Sequence, residues 1–214
     1  MGRRSSEMVR RVPSQKRSLE KYEAILRACA AVLRDQGYDG ATTAKIAARA
    51  GVGRGTLYQY FPNRETLVAT LAEAEFDRLL THTIDARQAG TADPPLEAAR
   101  SLLQMNVEFW VENRALLRVL LSEVPGVFQL PGIRRLEERF AAFARSLTRP
   151  PTSENRPEGL DRKLYVLTNS IAGFLFRLAL VAPPEATASE ITDELMAMIT
   201  GYLKESELGD WLRG

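Results

Sequence analysis

The sequence predicts an all-α chain, and three observations carry that prediction. Apolar residues recur three and four positions apart in one segment after another, the spacing that lines one face of a helix. No stretch alternates apolar and polar residues as a half-buried strand does. Gly, Pro, Thr and Asn fall between the periodic segments, where helix caps and stops belong. With 214 residues, 45% hydrophobic and 26% charged, the chain has ordinary globular composition and the length for a real core.

Residues 1–17 set Arg3, Arg4, Arg10, Arg11, Lys16 and Arg17 against the single acid Glu7, with little apolar surface to offset ordering entropy, so they read as a flexible basic arm. Tyr22, Ile25, Leu26, Cys29, Val32 and Leu33 then mark a helix from about Leu19 to Gln36, stopped by Gly37 in a left-handed conformation. Cys29 lies on that apolar stripe and reads as core. Thr42 and Thr43 offer N-caps for a short helix, Ala44 to Ala50, that ends near Gly51. Another short helix runs from Arg54 to Phe61, before Pro62. Asn63 caps a longer one carrying Leu67, Leu71, Ala74, Leu79 and Leu80 to His82 or beyond. After a break at Gly90 to Pro95, amphipathic segments follow at Leu96 to Glu112, Arg114 to Val124, Ile133 to Thr148, Gly159 to Val181 and Ala188 to Ser206. Arg149 to Pro157, with three prolines, reads as a surface loop.

Charge divides the chain where periodicity does not. Residues 1–64 hold 13 Lys/Arg and 5 Asp/Glu, a net of +8, while residues 65–214 hold 16 and 22, a net of −6. The imbalance points to a polyanion-binding head on an acidic body. One Cys and one His cannot furnish a disulfide, a multi-thiolate zinc site or a Ser-His arrangement, so the sequence predicts no catalytic residues, no cofactor and no metal. His82 beside Asp77 and Asp85 is too small a cluster to change this. The run Gly51-Val52-Gly53-Arg54-Gly55-Thr56 mimics a phosphate loop, but Thr56 takes the place of its last glycine and no strand precedes it. Neither a secretory core nor an uninterrupted apolar span is evident, which predicts a cytoplasmic, membrane-free protein.

The segment Thr42 to Phe61, TTAKIAARAGVGRGTLYQYF, has the needs of a helix-turn-helix: small Ala47 at the crossing and Gly51 in the turn. Ile46, Val52, Leu57 and Phe61 form the side that locks onto the first helix, leaving Lys45, Arg54, Thr56, Tyr58 and Tyr60 to face outwards. Ile25-Leu26, Thr42-Thr43, Ile46-Ala47, Ala50-Gly51-Val52, Gly55-Thr56-Leu57-Tyr58, Tyr60-Phe61 and Arg64 resemble the DNA-binding head of the TetR family over about Tyr22 to Leu71. Two positions depart from the family pattern: Gly53 stands where Ser is common and Arg64 where Lys is usual. The resemblance implies a TetR-like fold, a three-helix head at residues 18–64 and an effector-binding, dimerising helical body at residues 65–214. It makes Arg54 to Tyr60 the recognition helix, with Arg54, Thr56, Tyr60 and Ala44 toward bases, and Thr43, Lys45, Tyr58 and Arg64 toward phosphates. Gly55 lets the backbone approach closely.

In the body, Met105, Asn106, Phe109, Trp110, Phe128, Phe140, Phe143, Tyr165, Phe174 and Phe176 exceed what the centre of a thin bundle needs and are candidates for lining an effector pocket. Asn169, Ser170, Ala172 and Gly173 permit close helix approach, and Ile191, Leu195, Met198 and Tyr202 follow at helical spacing, a second candidate surface, for a homodimer. The expected protein is therefore a regulator, a repressor released from double-stranded operator DNA by an apolar or amphipathic small molecule. The alternative is a constitutive or protein-regulated DNA-binding dimer.

Overall fold

The computed structural model describes residues 13, 15–89, 95–130, 138, 159–181 and 185–204. All regular structure among them is helical. The predicted helix at 133–148 lies outside the described residues apart from Glu138, which is helical, and so do the loop at 149–157 and most of the basic arm.

Helix α1 (Lys16–Gly40) contains the expected stop at Gly37, with φ 69°, but the chain takes one more turn before Ala41. Helix α2 (Thr43–Arg49) is capped by Thr42, whose side chain accepts from the Lys45 N–H at 3.4 Å. Helix α3 (Arg54–Tyr60) ends as Phe61 turns extended, as a residue before proline must. Asn63 Oδ1 accepts from the Thr66 N–H at 2.7 Å and opens α4 (Arg64–Ala89). This helix runs on past His82, since no breaker intervenes before Gly90. Pro95, whose missing N–H costs nothing in a first turn, begins α5 (Pro95–Glu112). Helix α6 (Arg114–Glu123) follows, then a 3-10 turn at Val127–Gln129, α7 (Leu160–Leu180) and α8 (Ala188–Lys204). Thr187 and Glu190 form a reciprocal capping box at the start of α8, with bonds of 2.7 and 3.2 Å across the backbone amides.

The chain packs as two compact units. One takes the described residues up to Glu75 together with Arg118–Leu130, and the other Phe76–Leu117 with the described residues beyond Leu130. In the first, α1 packs on α2 and α2 on α3 around Ile25, Cys29, Leu33, Ile46, Leu57, Phe61 and Leu67, none of which reaches solvent. Tyr22 stacks on Phe61 at 5.1 Å. Burial pushes the Cys29 thiol up to about 12, which leaves it a plain core side chain. In the second unit α5 packs against α7 and α8, burying Leu103, Val107, Trp110, Leu175, Ile191 and Ile199, and Arg100 pairs with Asp193 across α5 and α8.

Candidate nucleic-acid interface

The turn between α2 and α3 is built on Gly51. Its φ of 67° lies in the left-handed region, while its Cβ direction is open, so glycine is required there by the backbone and not by space. The Val52 N–H to Ala47 O bond at 3.1 Å closes the turn over the small residue that the crossing needs. Buried Leu57 fixes the inner side of α3, which leaves Arg54, Gly55 and Tyr58 exposed and Thr56 partly so. A side chain at Gly53 or Gly55 would meet nothing within 4 Å, so at both positions backbone stands open to the outside. Tyr58 Oη and Thr43 Oγ1 lie 3.1 Å apart, joining α3 to the start of α2. That hydrogen bond, with help from Arg54, lowers the Tyr58 phenol from its ordinary range.

The other candidates have other surroundings. Ala44 is exposed and Thr43 half-buried. Lys45 is exposed, yet its Nζ donates to Gln36 Oε1 at 2.6 Å and to Gly40 O at 3.1 Å, which ties it to the end of α1. Tyr60 is half-buried, its ring edge-on to Tyr22 at 6.3 Å. Arg64 lies over the Tyr38 ring at 4.2 Å, donates to Tyr38 O at 3.3 Å and keeps only 27% of its side chain exposed. Lys45, Tyr60 and Arg64 thus hold the head together in the free chain, a role that a reading of outward faces does not disclose.

Glu123 escaped the sequence reading. Its Oε2 accepts from the Tyr38 N–H at 2.9 Å, fixing the corner after Gly37 across 85 positions of sequence. Gly37 leaves room for that carboxylate, because a Cβ there would sit 2.7 Å from it. The one local signal is an acid at the C-terminal end of a helix, where the macrodipole disfavours it.

In the second unit, α5 brings together half-buried Met105, buried Asn106, half-buried Phe109 and buried Trp110. Asn106 Nδ2 donates to Leu102 O at 2.9 Å, Arg78 stands over Phe109 at 5.7 Å, and Phe176 meets Trp110 at 5.3 Å. Tyr165, 71% exposed, and Phe174, 39% exposed, face outwards from α7 instead. Phe128 is exposed and belongs to the first unit, while Phe140 and Phe143 lie outside the described residues. Of the small-residue surface, Asn169 and Gly173 are exposed and Ala172 half-buried. Ile191 and Leu195 are buried within the chain, whereas Met198 and Tyr202 are exposed. Phe174, Leu178, Val181, Ile191 and Met198 line a groove of about 770 Å³ between α7 and α8. Among the described residues no group of three or more His, Cys, Asp or Glu is placed to hold a metal ion, and no helix is long and apolar enough to cross a membrane.

Residues 25–71 match the model of the bacterial regulatory proteins, tetR family, and residues 94–203 match the tetracyclin repressor-like C-terminal domain. The chain belongs to the TetR family of transcriptional regulators. The family is one of DNA-binding transcriptional regulators, and all regular structure among the described residues of this chain is helical. It is 40% identical over 70 residues to the uncharacterized HTH-type transcriptional regulator YvdT of Bacillus subtilis, a match covering 33% of this chain and 34% of that one. With YvdT and YuxN of Bacillus subtilis the match spans about a third of their length, 34% and 35%. The uncharacterized HTH-type regulator Mb2274c of Mycobacterium bovis is 28% identical over 182 residues, 84% of this chain and 92% of that one. The fold also matches FadR from Bacillus subtilis in complex with stearoyl-CoA, with a TM-score of 0.63 at 14% identity over 83% of this chain and 97% of that one. In the TetR frame, α2 and α3 are the helix-turn-helix and α3 its second helix.

Proposed function

We propose that this TetR-family chain is a cytoplasmic, homodimeric repressor that leaves operator DNA when a small amphipathic effector enters its body. The functional division falls near Arg64, with a basic arm at residues 1–17, a DNA-reading head at 18–64 and a sensing, dimerising body at 65–214. The observation that carries the reading is the solvent side of α3, where Arg54 and Tyr58 are exposed and Thr56 partly so while Leu57 is buried, and Tyr58 is braced by Thr43. Arg54 and Thr56 read base edges, with Ala44 and Tyr60 flanking them. Thr43, Lys45, Tyr58 and Arg64 supply hydroxyls and charge for phosphates, and the open backbone at Gly55 permits close approach. Lys45 and Arg64 exchange their intrachain oxygen partners for phosphate on binding.

A single short recognition helix reads few base pairs, so a two-fold pair is needed to specify an operator. The exposed side chains of Phe174, Val181, Met198 and Tyr202 on and beside α7 and α8 support that pairing. An amphipathic effector is supported by the ring contact of Trp110 with Phe176 and by the stearoyl-CoA held by the FadR neighbour. The test selects binding sites from random duplex DNA with the full chain, then measures affinity by anisotropy at several salt concentrations. A selected sequence bound about a thousandfold or more above random DNA supports the reading. Failure to enrich any sequence would refute it.

A further inference from the structure

Two of the cations assigned to phosphates above are held by one short stretch of backbone. Lys45 Nζ donates to Gly40 O at 3.1 Å and to Gln36 Oε1 at 2.6 Å. Arg64 Nη1 donates to Tyr38 O at 3.3 Å while its guanidinium covers the Tyr38 ring. The stretch is closed on itself by the Ala41 N–H to Tyr38 O and Thr42 N–H to Gly40 O bonds, at 3.2 and 3.0 Å, so the two carbonyls and the ring form one local unit. At its start Gly37, with φ 69° and ψ −178°, interrupts helical geometry, and the N–H of the next residue, Tyr38, donates to Glu123 Oε2 at 2.9 Å. Tyr38 is 8% exposed, so water is a poor substitute for that acceptor. Glu123 comes from α6, and all these residues lie in the first unit.

To reach a phosphate, Lys45 and Arg64 must leave oxygens they already hold, and the exchange costs most where those oxygens are rigidly placed. Phosphate contacts carry no sequence information, so a costly exchange lowers affinity for every duplex, while an operator offsets it with base contacts. We infer that Glu123 is a positioning residue for discrimination between DNA sequences: by fixing the backbone from Tyr38 to Gly40 it keeps Lys45 and Arg64 engaged on random DNA. The two cations transfer to phosphates only where base contacts add to the binding. This rests on the phosphate roles given to Lys45 and Arg64 in the proposed function.

Glu123→Gln and Glu123→Ala remove the same charge and alter the long-range field of the head equally, but only glutamine keeps an acceptor for the Tyr38 N–H. Anisotropy with the full chain measures affinity for the selected operator and for a random duplex at several salt concentrations. Relative to Glu123→Gln, Glu123→Ala should bind random DNA about three- to tenfold more tightly, with a salt slope steeper by about one to two, since each further phosphate adds about 0.9. Operator affinity should change by less than about twofold, so the specificity ratio falls. A merely structural role predicts weaker binding to both duplexes. Adding Lys45→Ala and Arg64→Ala together should erase the difference between the two Glu123 variants. Gln36 is exposed, and Gln36→Ala takes away one Lys45 acceptor without touching the core, so it should raise random-DNA affinity about twofold. Circular dichroism confirms folding, and Gln36→Ala carries the test by itself if Glu123→Ala does not fold. Equal random-DNA affinity in the two Glu123 variants overturns the inference. So does weaker binding by Glu123→Ala, a difference that survives loss of both cations, or no gain in Gln36→Ala. Failure to select any operator defeats the proposed function, while the random-duplex comparison still decides whether Glu123 restrains the two cations.

Discussion

Replacing Glu123 with alanine should destabilise the head from 85 positions away. The carboxylate accepts the Tyr38 N–H at 2.9 Å, and Tyr38 is only 8% exposed, so the variant leaves a largely buried backbone donor without an acceptor. That loss costs about 1–3 kcal/mol. The pair with Arg118, at 3.4 Å with the side chains 48% and 33% exposed, adds at most about 1 kcal/mol after screening. Removing an acid from a helix C-terminus returns about 0.3–1 kcal/mol. The net is a loss of about 1–2 kcal/mol, which at roughly 2–4 °C per kcal/mol for a chain of this size lowers Tm by about 2–8 °C. Glu123→Gln keeps an acceptor oxygen and should lose less than half as much. Hydrogen exchange locates the effect: the Tyr38 amide should exchange faster in the alanine variant and near the native rate in the glutamine variant. An unchanged Tyr38 amide in Glu123→Ala would refute the argument, whatever the melting temperature.

Arg54→Ala should lose about 1–3 kcal/mol on the selected operator and little on random DNA; equal losses on both would make Arg54 a phosphate contact. Arg64→Ala should both weaken all DNA sequences and lower Tm, because the side chain covers Tyr38 in the free protein; an unchanged Tm would separate it from the fold. Gly173→Trp should convert a dimer to a monomer in sedimentation without altering the helical circular dichroism, since a Cβ there meets nothing within 4 Å of its own chain. Cys29, its thiol raised to about 12, should resist alkylation at pH 8 in the folded state and react once denatured. The Glu190 carboxyl is held below its usual 4.5, first by the Thr187 backbone N–H and then by its hydroxyl, so its contribution to stability is present above that value and lost as pH falls through the lowered one. Thr187→Ala removes the hydroxyl and keeps the backbone N–H, so it should flatten the acid side of the stability profile only in part.

How much of this was legible in the sequence depended on the range of the interaction. The limits of α2 and α3 follow from Thr42, Gly51, Gly53 and Pro62, whose effects are exerted within a turn or two of backbone, and they were read closely. Of the residues expected to face outwards, Lys45, Arg54 and Tyr58 are exposed, whereas Thr56 and Tyr60 are half-buried. Periodicity carries no record of the partners supplied by distant elements. Glu123 meets Tyr38 because α6 returns to the first unit, and no pattern near either residue encodes that meeting beyond an acid in an unfavourable place. The same blindness affected the body. Tyr165 and Phe174 share the aromatic character of Trp110, yet both are exposed, and composition cannot separate a lining side chain from a docking one.

Charge counting fails for a related reason, and the consequence bears on how tightly the head holds DNA. The net +8 of residues 1–64 treats thirteen cations as equal. Arg27 pairs with Glu23 and Arg49 with Asp35, so each already faces a carboxylate. Lys45 is fixed by Gln36 and the Gly40 carbonyl, and Arg64 by Tyr38 and Glu65. A cation engaged this way binds phosphate only by exchanging one set of oxygens for another, which makes its contribution smaller than that of a freely solvated one. On the proposed reading, this holds down the affinity of the head for arbitrary DNA and leaves the discrimination of α3 between bases untouched. On the proposed function, engaging these cations within the head moves the balance toward releasing random sequence more readily than operator.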